Sequence, residues 1–246
     1  MTGHDVDAME AEVAKLKVMC ARSMHVAVGA LGEAFAKSSG HHIEFDFGTV
    51  GALQTKLDAG ETADVVVLSV PGIDKLEKAG AAVPGSRRNV AKTFIALCIR
   101  EGAPKPDFAT VESFRRLVEQ ARAIATSDPA VGGSAGVHLA KAFEQAGWTA
   151  MMNEKGMPQQ TGAEVAKRVV EGRAEFGLTL SGEVASVPGA VIVGPLPAPF
   201  GQDTIYCAAV MAASRDKSAA LAFIAALTHS DTAETWRKAG FEQPGR

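Results

Sequence analysis

The chain is poor in the features that would place it quickly. It has three cysteines, Cys20, Cys98 and Cys207, each inside an apolar stretch. An odd, sparse set provides no disulfide framework and reads as buried structural thiols. No apolar run approaches the roughly 20 residues that span a bilayer, so direct membrane insertion is not expected. No run of Lys and Arg stands out, and the net charge is −3, which argues against a broad nucleic-acid surface. No Cys/His cluster and no phosphate-loop pattern is present, so neither a metal nor an organic cofactor is expected. His41 and His42 have no nearby Cys, Asp or Glu to complete a metal spacing. Repeats at solenoid periods are absent, as is any low-complexity tract.

The N-terminal stretch lacks a basic start followed by an apolar segment, so it is not read as a signal peptide. The expectation is a cytoplasmic protein as written, or a periplasmic one if a leader has been removed. Residues 5–15 read as an acidic, weakly helical surface extension. Only about 15 residues precede the first strand, too few for a helix-turn-helix, so an effector domain of a transcription factor is not expected.

What remains is an ordinary globular composition, 47% hydrophobic and 22% charged over 246 residues. That is enough for one large domain or two small ones with a sizeable core. The most informative stretch is Phe45-Asp46-Phe47-Gly48-Thr49-Val50-Gly51-Ala52-Leu53. Its alternating phenylalanines predict a strand that stops at Gly48. Thr49 stands where a helix N-cap belongs, and Leu53 and Leu57 continue at helical spacing. A strand entering a helix through a small polar turn leaves backbone N–H groups free at the positive end of the helix dipole, where an anion can sit. Similar turns recur at Ala21-Arg22-Ser23 and at Gly132-Gly133-Ser134-Ala135-Gly136. Three such turns in one chain suggest a site for a small anion.

Taken in order, the chain alternates strands and helices. Strands are predicted at 16–21, 42–47 and 63–68, each followed by a helix, which calls for a parallel sheet covered on both faces. Apolar strands follow at 93–99 and 123–126, and helices at 114–118, 137–145 and 165–170. Strands at 176–180, 191–197 and 205–211 come next, and Ser181 is placed to cap the helix after the first of these. Two helices close the chain, the first carrying Leu221, Ile224 and Leu227 and the second Trp236.

The order of these motifs resembles the type II periplasmic binding proteins of the molybdate-binding and related extracellular solute-binding group. The matching segments are Cys20-Ala-Arg-Ser-Met24, Phe47-Gly-Thr-Val-Gly-Ala-Leu53, Gly60-Glu-Thr-Ala-Asp-Val-Val66, Asp128-Pro-Ala-Val-Gly-Gly-Ser-Ala-Gly136, Val170-Glu-Gly-Arg-Ala-Glu-Phe-Gly177 and Trp236-Arg-Lys-Ala-Gly-Phe241. Together they cover residues 16–244. The resemblance implies two α/β lobes with parallel-rich sheets, helices on both faces and a ligand cleft between them. Lobe 1 would be residues 1–92 with 200–246, and lobe 2 residues 93–199. It also implies ligand contacts at Arg22, Ser23, Thr49, Val50, Gly51, Ser134, Ala135 and Gly136. A membrane ABC permease is the partner this group would have.

The chain departs from the molybdate binders where Val50 and Gly51 replace serine, and where Leu180 stands about where they offer a tyrosine. Loss of hydroxyls leaves an oxyanion undersatisfied. Arg22 adds a flat, two-pronged donor and His25 a titratable ring, so a carboxylate is the expected ligand. The chain also resembles aconitate isomerases, enzymes that move a double bond in a tricarboxylate by proton transfer. Two functions therefore stand open. One is a solute-binding protein for a small anion; the other is a cofactor-free isomerase with His25 as the catalytic base. Arg87 and Arg88 are read as a solvated basic patch, and Asp64 and Asp128 as residues that fix turns.

Overall fold

The structure, a computed structural model, describes residues 13–243. The predicted acidic extension falls mostly outside these residues. Among the described residues, nine strands and ten α-helices follow one another: β1 Lys15–Ala21, α1 His25–Ser39, β2 His42–Gly48, α2 Val50–Asp58, β3 Val65–Ser69, α3 Val70–Lys78 and β4 Arg88–Arg100. Then come α4 Val111–Gln120, β5 Ile124–Ser127, α5 Ser134–Gln145, α6 Thr149–Lys155, β6 Gly156–Gln159, α7 Gly162–Val170, β7 Phe176–Leu180 and α8 Ser181–Ala185. The last elements are β8 Ala190–Pro195, β9 Asp203–Val210, α9 Lys217–Thr228 and α10 Ala233–Lys238. The sequence reading assigned nothing to 149–159, where α6 and β6 lie.

The strands form one hydrogen-bonded path in the order β2-β1-β3-β9-β4-β7-β5-β6, with β8 also paired to β4. β1, β2 and β3 are parallel, as the β-α alternation predicts. β9 runs antiparallel to β3 and to β4, which the alternation does not reveal because both return strands are read only as apolar runs. β4 is the long element that joins the two lobes. Its residues Arg88–Phe94 pair with β9, and Ile95–Arg100 pair with β7 and β8.

Side-chain alternation explains why the central strands are apolar throughout. In β3, Val65 and Val67 enter the core under α1 and α9, whereas Val66 and Leu68 enter the core under α2 and α3. In the other lobe, Ile95, Leu97 and Ile99 of β4 face an aromatic core that includes Phe114, Phe143, Trp148 and Phe200. Trp148 stacks on Phe200 with ring centroids 4.5 Å apart. Cys98 faces the opposite core, with Val165, Val169 and Val184. Cys20, Cys98 and Cys207 are all buried and free. Among the described residues, no helix is long and apolar enough to cross a membrane.

Ser181 corrects one expectation. Leu180, not Ser181, occupies the N-cap of α8. The Ser181 hydroxyl is fully buried and ties three segments together instead. It lies 2.7 Å from Thr93 Oγ1 and donates to the Gly240 carbonyl at 2.6 Å. The C-terminal segment is held further by the paired backbone bonds between Lys92 and Glu242. On α9, Phe223, Ile224 and Leu227 are buried, whereas Leu221 is 46% exposed.

Candidate functional site

A cleft opens at the C-terminal ends of β1, β2, β5 and β7, the end of a parallel sheet at which helix N-termini converge. It is lined by Arg22, Ser23, Thr49, Val50, Ser134 and Ala135, so the three turns singled out in the sequence do meet. Its volume is about 80 Å³, room for a handful of waters or a small anion.

Each turn is built by its local sequence. Thr49 caps α2, its hydroxyl accepting from the Ala52 N–H at 3.1 Å. That bond uses one lone pair of the hydroxyl and leaves its hydrogen available. Arg22 and Ser23 lie in a 3-10 turn before α1. The Arg22 side chain is exposed and donates to the Phe47 carbonyl at 3.1 Å, which holds the guanidinium beside the end of β2. Ser134 opens α5 after Gly133, which adopts an extended conformation and offers no side-chain cap. Gly132 precedes it at φ 71°, a conformation that favours glycine.

Gly51 and Gly136 do not line the cleft. Gly51 is already inside α2 and faces solvent. Gly136 serves packing: a Cβ there would come within 2.8 Å of the Ser127 carbonyl oxygen, so its absence lets α5 approach β5. His25 also lies outside the lining. Its Nδ1 is 2.9 Å from the Arg22 carbonyl, and its ring meets Phe47 edge-on at 6.1 Å. His138 is turned to the Pro199 carbonyl, 3.0 Å from Nε2. Arg87 is paired with Asp74 at 2.7 Å and Glu77 at 3.2 Å, and Arg88 donates to backbone carbonyls. Asp128 accepts from the Ala130 N–H and fixes the turn there, as expected, whereas Asp64 accepts from the Lys17 N–H and the Ser214 hydroxyl and so ties distant segments together, not a local turn.

The cleft also holds groups that the sequence did not announce. Ser127 and Thr179 face it from β5 and β7, their hydroxyls 3.0 Å apart. Thr161 opens α7 with a reciprocal cap: its hydroxyl accepts from the Glu164 N–H, and Glu164 accepts from the Thr161 N–H. Tyr206, the single tyrosine of the chain, reaches the cleft from β9 and accepts a hydrogen bond from Ser23 at 3.0 Å. Burial pushes the phenol up to about 12. Leu180 lines the cleft as an apolar wall, so the phenol at the cleft comes from another strand than the one the resemblance indicates.

Glu183 is the most consequential of these groups. It stands in the first turn of α8, half-buried in the cleft wall. Its stem packs on the start of α7, where a Cβ on Gly162 would come within 2.7 Å of Glu183 Cβ and Cγ. Among the described residues, no side chain forms a hydrogen bond or ion pair with its carboxyl. Burial raises its pKa above the usual carboxylate value, opposed by the charges of His25 and Arg22 and by the Ala163 backbone N–H. The cleft therefore offers one guanidinium, one carboxyl, a ring of hydroxyls and the amides of several helix starts. No group of three or more His, Cys, Asp or Glu converges among the described residues.

Comparison with known proteins agrees with this architecture. The chain is 32% identical over 198 residues to an aconitate isomerase from a Pseudomonas species, covering 79% of this chain and 72% of that one. It is 26% identical over 238 residues to the molybdate-binding protein ModA of Mycobacterium tuberculosis H37Rv, covering 92% and 84%. Among solved structures, the periplasmic molybdate-binding protein of Azotobacter vinelandii superposes with a TM-score of 0.72 at 20% identity, covering 94% of this chain and 100% of that one. The sulfate-binding protein SubI of M. tuberculosis H37Rv superposes with a TM-score of 0.72 at 18% identity, covering 94% and 87%. The fold is the two-lobed type II periplasmic-binding-protein fold. The family described as bacterial extracellular solute-binding protein matches residues 16–242, and the chain belongs to that family.

Proposed function

We propose that this protein binds a small anion, a carboxylate in preference to a tetrahedral oxyanion, in the cleft between its lobes, and acts as a solute receptor. The observation that carries this reading is the convergence of Arg22 with the helix starts at Ser23, Thr49, Ser134 and Thr161 on one small cavity. Amides at helix starts favour negative charge, and a guanidinium matches the plane of a carboxylate with two parallel donors. Val50 and Leu180 present carbon where a tetrahedral ligand would need further donors. The lobe limits we propose are residues 1–92 with 200–246, and 93–199. β4 changes partner between Phe94 and Ile95, two residues beyond the first of these limits, which supports a boundary in this part of the strand. A membrane ABC permease is the partner proposed for delivery, and with it a location outside the inner membrane is proposed. Neither a cofactor nor nucleic acid has a part in this reading.

The test is calorimetry against short mono- and dicarboxylates, molybdate and sulfate. Saturable binding of a carboxylate with weaker molybdate binding is expected. Tight molybdate binding with no carboxylate binding would reverse the assignment.

Two observations favour a second reading, a cofactor-free isomerase of an unsaturated polycarboxylate. One is the relative at 32% identity. The other is a partly buried carboxyl, Glu183, whose proton affinity is raised in the cleft wall within the fields of His25 and Arg22. Incubation with cis- and trans-aconitate, followed by ultraviolet absorbance, distinguishes the two. Turnover lost in His25→Ala would give His25 the role of base, and turnover that survives would assign it elsewhere.

A further inference from the structure

The cleft is built mostly of donors, yet Glu183 places an acceptor in its wall. A fully deprotonated anion such as molybdate or sulfate carries only acceptors. Brought beside Glu183, it would have a carboxyl with nothing to accept from and a like charge nearby. The cation count does not offset this. Among the described residues, Arg22 is the single cation that lines the cleft, and one guanidinium against one ionised carboxylate leaves the lining neutral. The charged or titratable groups around Glu183 are Arg22 and His25 from the segment after β1, and Tyr206 from β9. Thr161 and Gly162 of the α7 start, on which its stem packs, carry no charge.

We propose that Glu183 is the specificity-determining residue of the cleft, and that it accepts a hydrogen bond from the ligand. The ligand is then a small carboxylate that carries a hydroxyl or an un-ionised carboxyl group a few atoms from the carboxylate held by Arg22. This rests on the anion-binding reading above and narrows it from any small carboxylate to a hydroxy acid or a hydrogen dicarboxylate. It also accounts for how a carboxyl is retained in an anion cleft. The geometry is complementary: the cation stands at the β1 end of the lining and the acceptor at the start of α8. The same arrangement gives two kinds of ligand different pH behaviour. A ligand hydroxyl donates to Glu183 at any pH. A ligand without a donor is tolerated only when Glu183 itself carries the proton, so its affinity falls as pH rises through the Glu183 pKa.

The experiment uses ligand pairs that differ by one hydroxyl, malate with succinate and lactate with propionate, together with sulfate. Calorimetry is run on the wild-type protein, Glu183→Gln and Glu183→Ala, at about pH 5 and about pH 8. The wild type should prefer the hydroxylated member at least tenfold at the higher pH, with the gap narrowing in acid. Glu183→Gln removes the charge but keeps an acceptor, so it should retain a reduced preference and gain sulfate affinity. Glu183→Ala should lose the preference altogether. A thermal melt of each variant shows whether it is folded, and the pH dependence within the wild type tests the proposal without any variant. Equal affinity for both members of each pair, or sulfate binding by the wild type at both pH values, would overturn the role of Glu183 and leave the anion site intact. Failure of every anion to bind the wild type would overturn the anion-binding reading and this proposal with it.

Discussion

Replacing Arg22 by alanine separates ligand recognition from stability. The guanidinium is exposed, and among the described residues its one hydrogen bond is the 3.1 Å bond to the Phe47 carbonyl at the end of β2. Water can satisfy that carbonyl once the side chain is gone, so the fold should lose no more than about 0.5 kcal/mol, the usual range for an exposed site. Binding should respond very differently. A hydrogen bond to a charged group contributes about 1.5–3 kcal/mol. At about 1.4 kcal/mol per decade, that corresponds to a roughly 10- to 150-fold loss of carboxylate affinity. Arg22→Lys keeps the charge but not the planar fork, so its affinity should fall between the two. Isothermal calorimetry gives the affinity and a thermal melt gives the stability, on the same preparations. Unchanged affinity in Arg22→Ala would refute the assignment of Arg22 to the ligand. A melting point lowered as much as the affinity would show that Arg22 acts through the structure of the turn instead.

Ser181→Ala should be the costly counterpart, because it orphans the buried Thr93 hydroxyl and removes a donor from the Gly240 carbonyl. A loss of roughly 2–4 kcal/mol is expected from two such groups, or a melting point lower by about 4–16 °C in a chain of this size. Gly240→Ala should be equally harmful, since φ is 79° and the added Cβ would come within 2.8 Å of the Ser181 carbonyl carbon; denaturant titration checks both. Glu183→Gln should stabilise the protein in a pH-dependent way. The folded carboxyl has a pKa above its ordinary 4.5, so the native state binds the extra proton. The stability linked to Glu183 is present below that ordinary value and is lost as pH rises through the folded one. The melting-point gain of the variant should therefore grow between about pH 4 and about pH 8, and a constant gain would contradict the assignment. Tyr206→Phe removes the acceptor of the Ser23 hydroxyl, and should cost about 1 kcal/mol in a urea titration.

The sequence alone determined the parts governed by local rules. Thr49 caps α2 because a hydroxyl after an extended strand can reach the N–H three residues on. Gly40 ends α1 because it adopts the left-handed conformation, at φ 75°. The apolar runs of β3 and β4 announce strands buried on both faces. The convergence of Arg22, Ser23, Thr49 and Ser134 was legible for the same reason: each follows a strand whose end faces the cleft. What tertiary structure decided lies elsewhere. Ser181 has the sequence position of a cap, but burial against Thr93 and Gly240 gives its hydroxyl another use. Glu183 and Tyr206 carry no local signal, because their place in the cleft depends on how β7 and β9 are set in the sheet. Gly51 and Gly136 share the composition of an anion-holding turn, yet the direction of α2 and the approach of α5 to β5 turn them away from the cleft. Local sequence fixes where a helix starts. Only the packing of distant strands fixes which helix starts and side chains share one cavity, and whether a carboxyl stands among its donors.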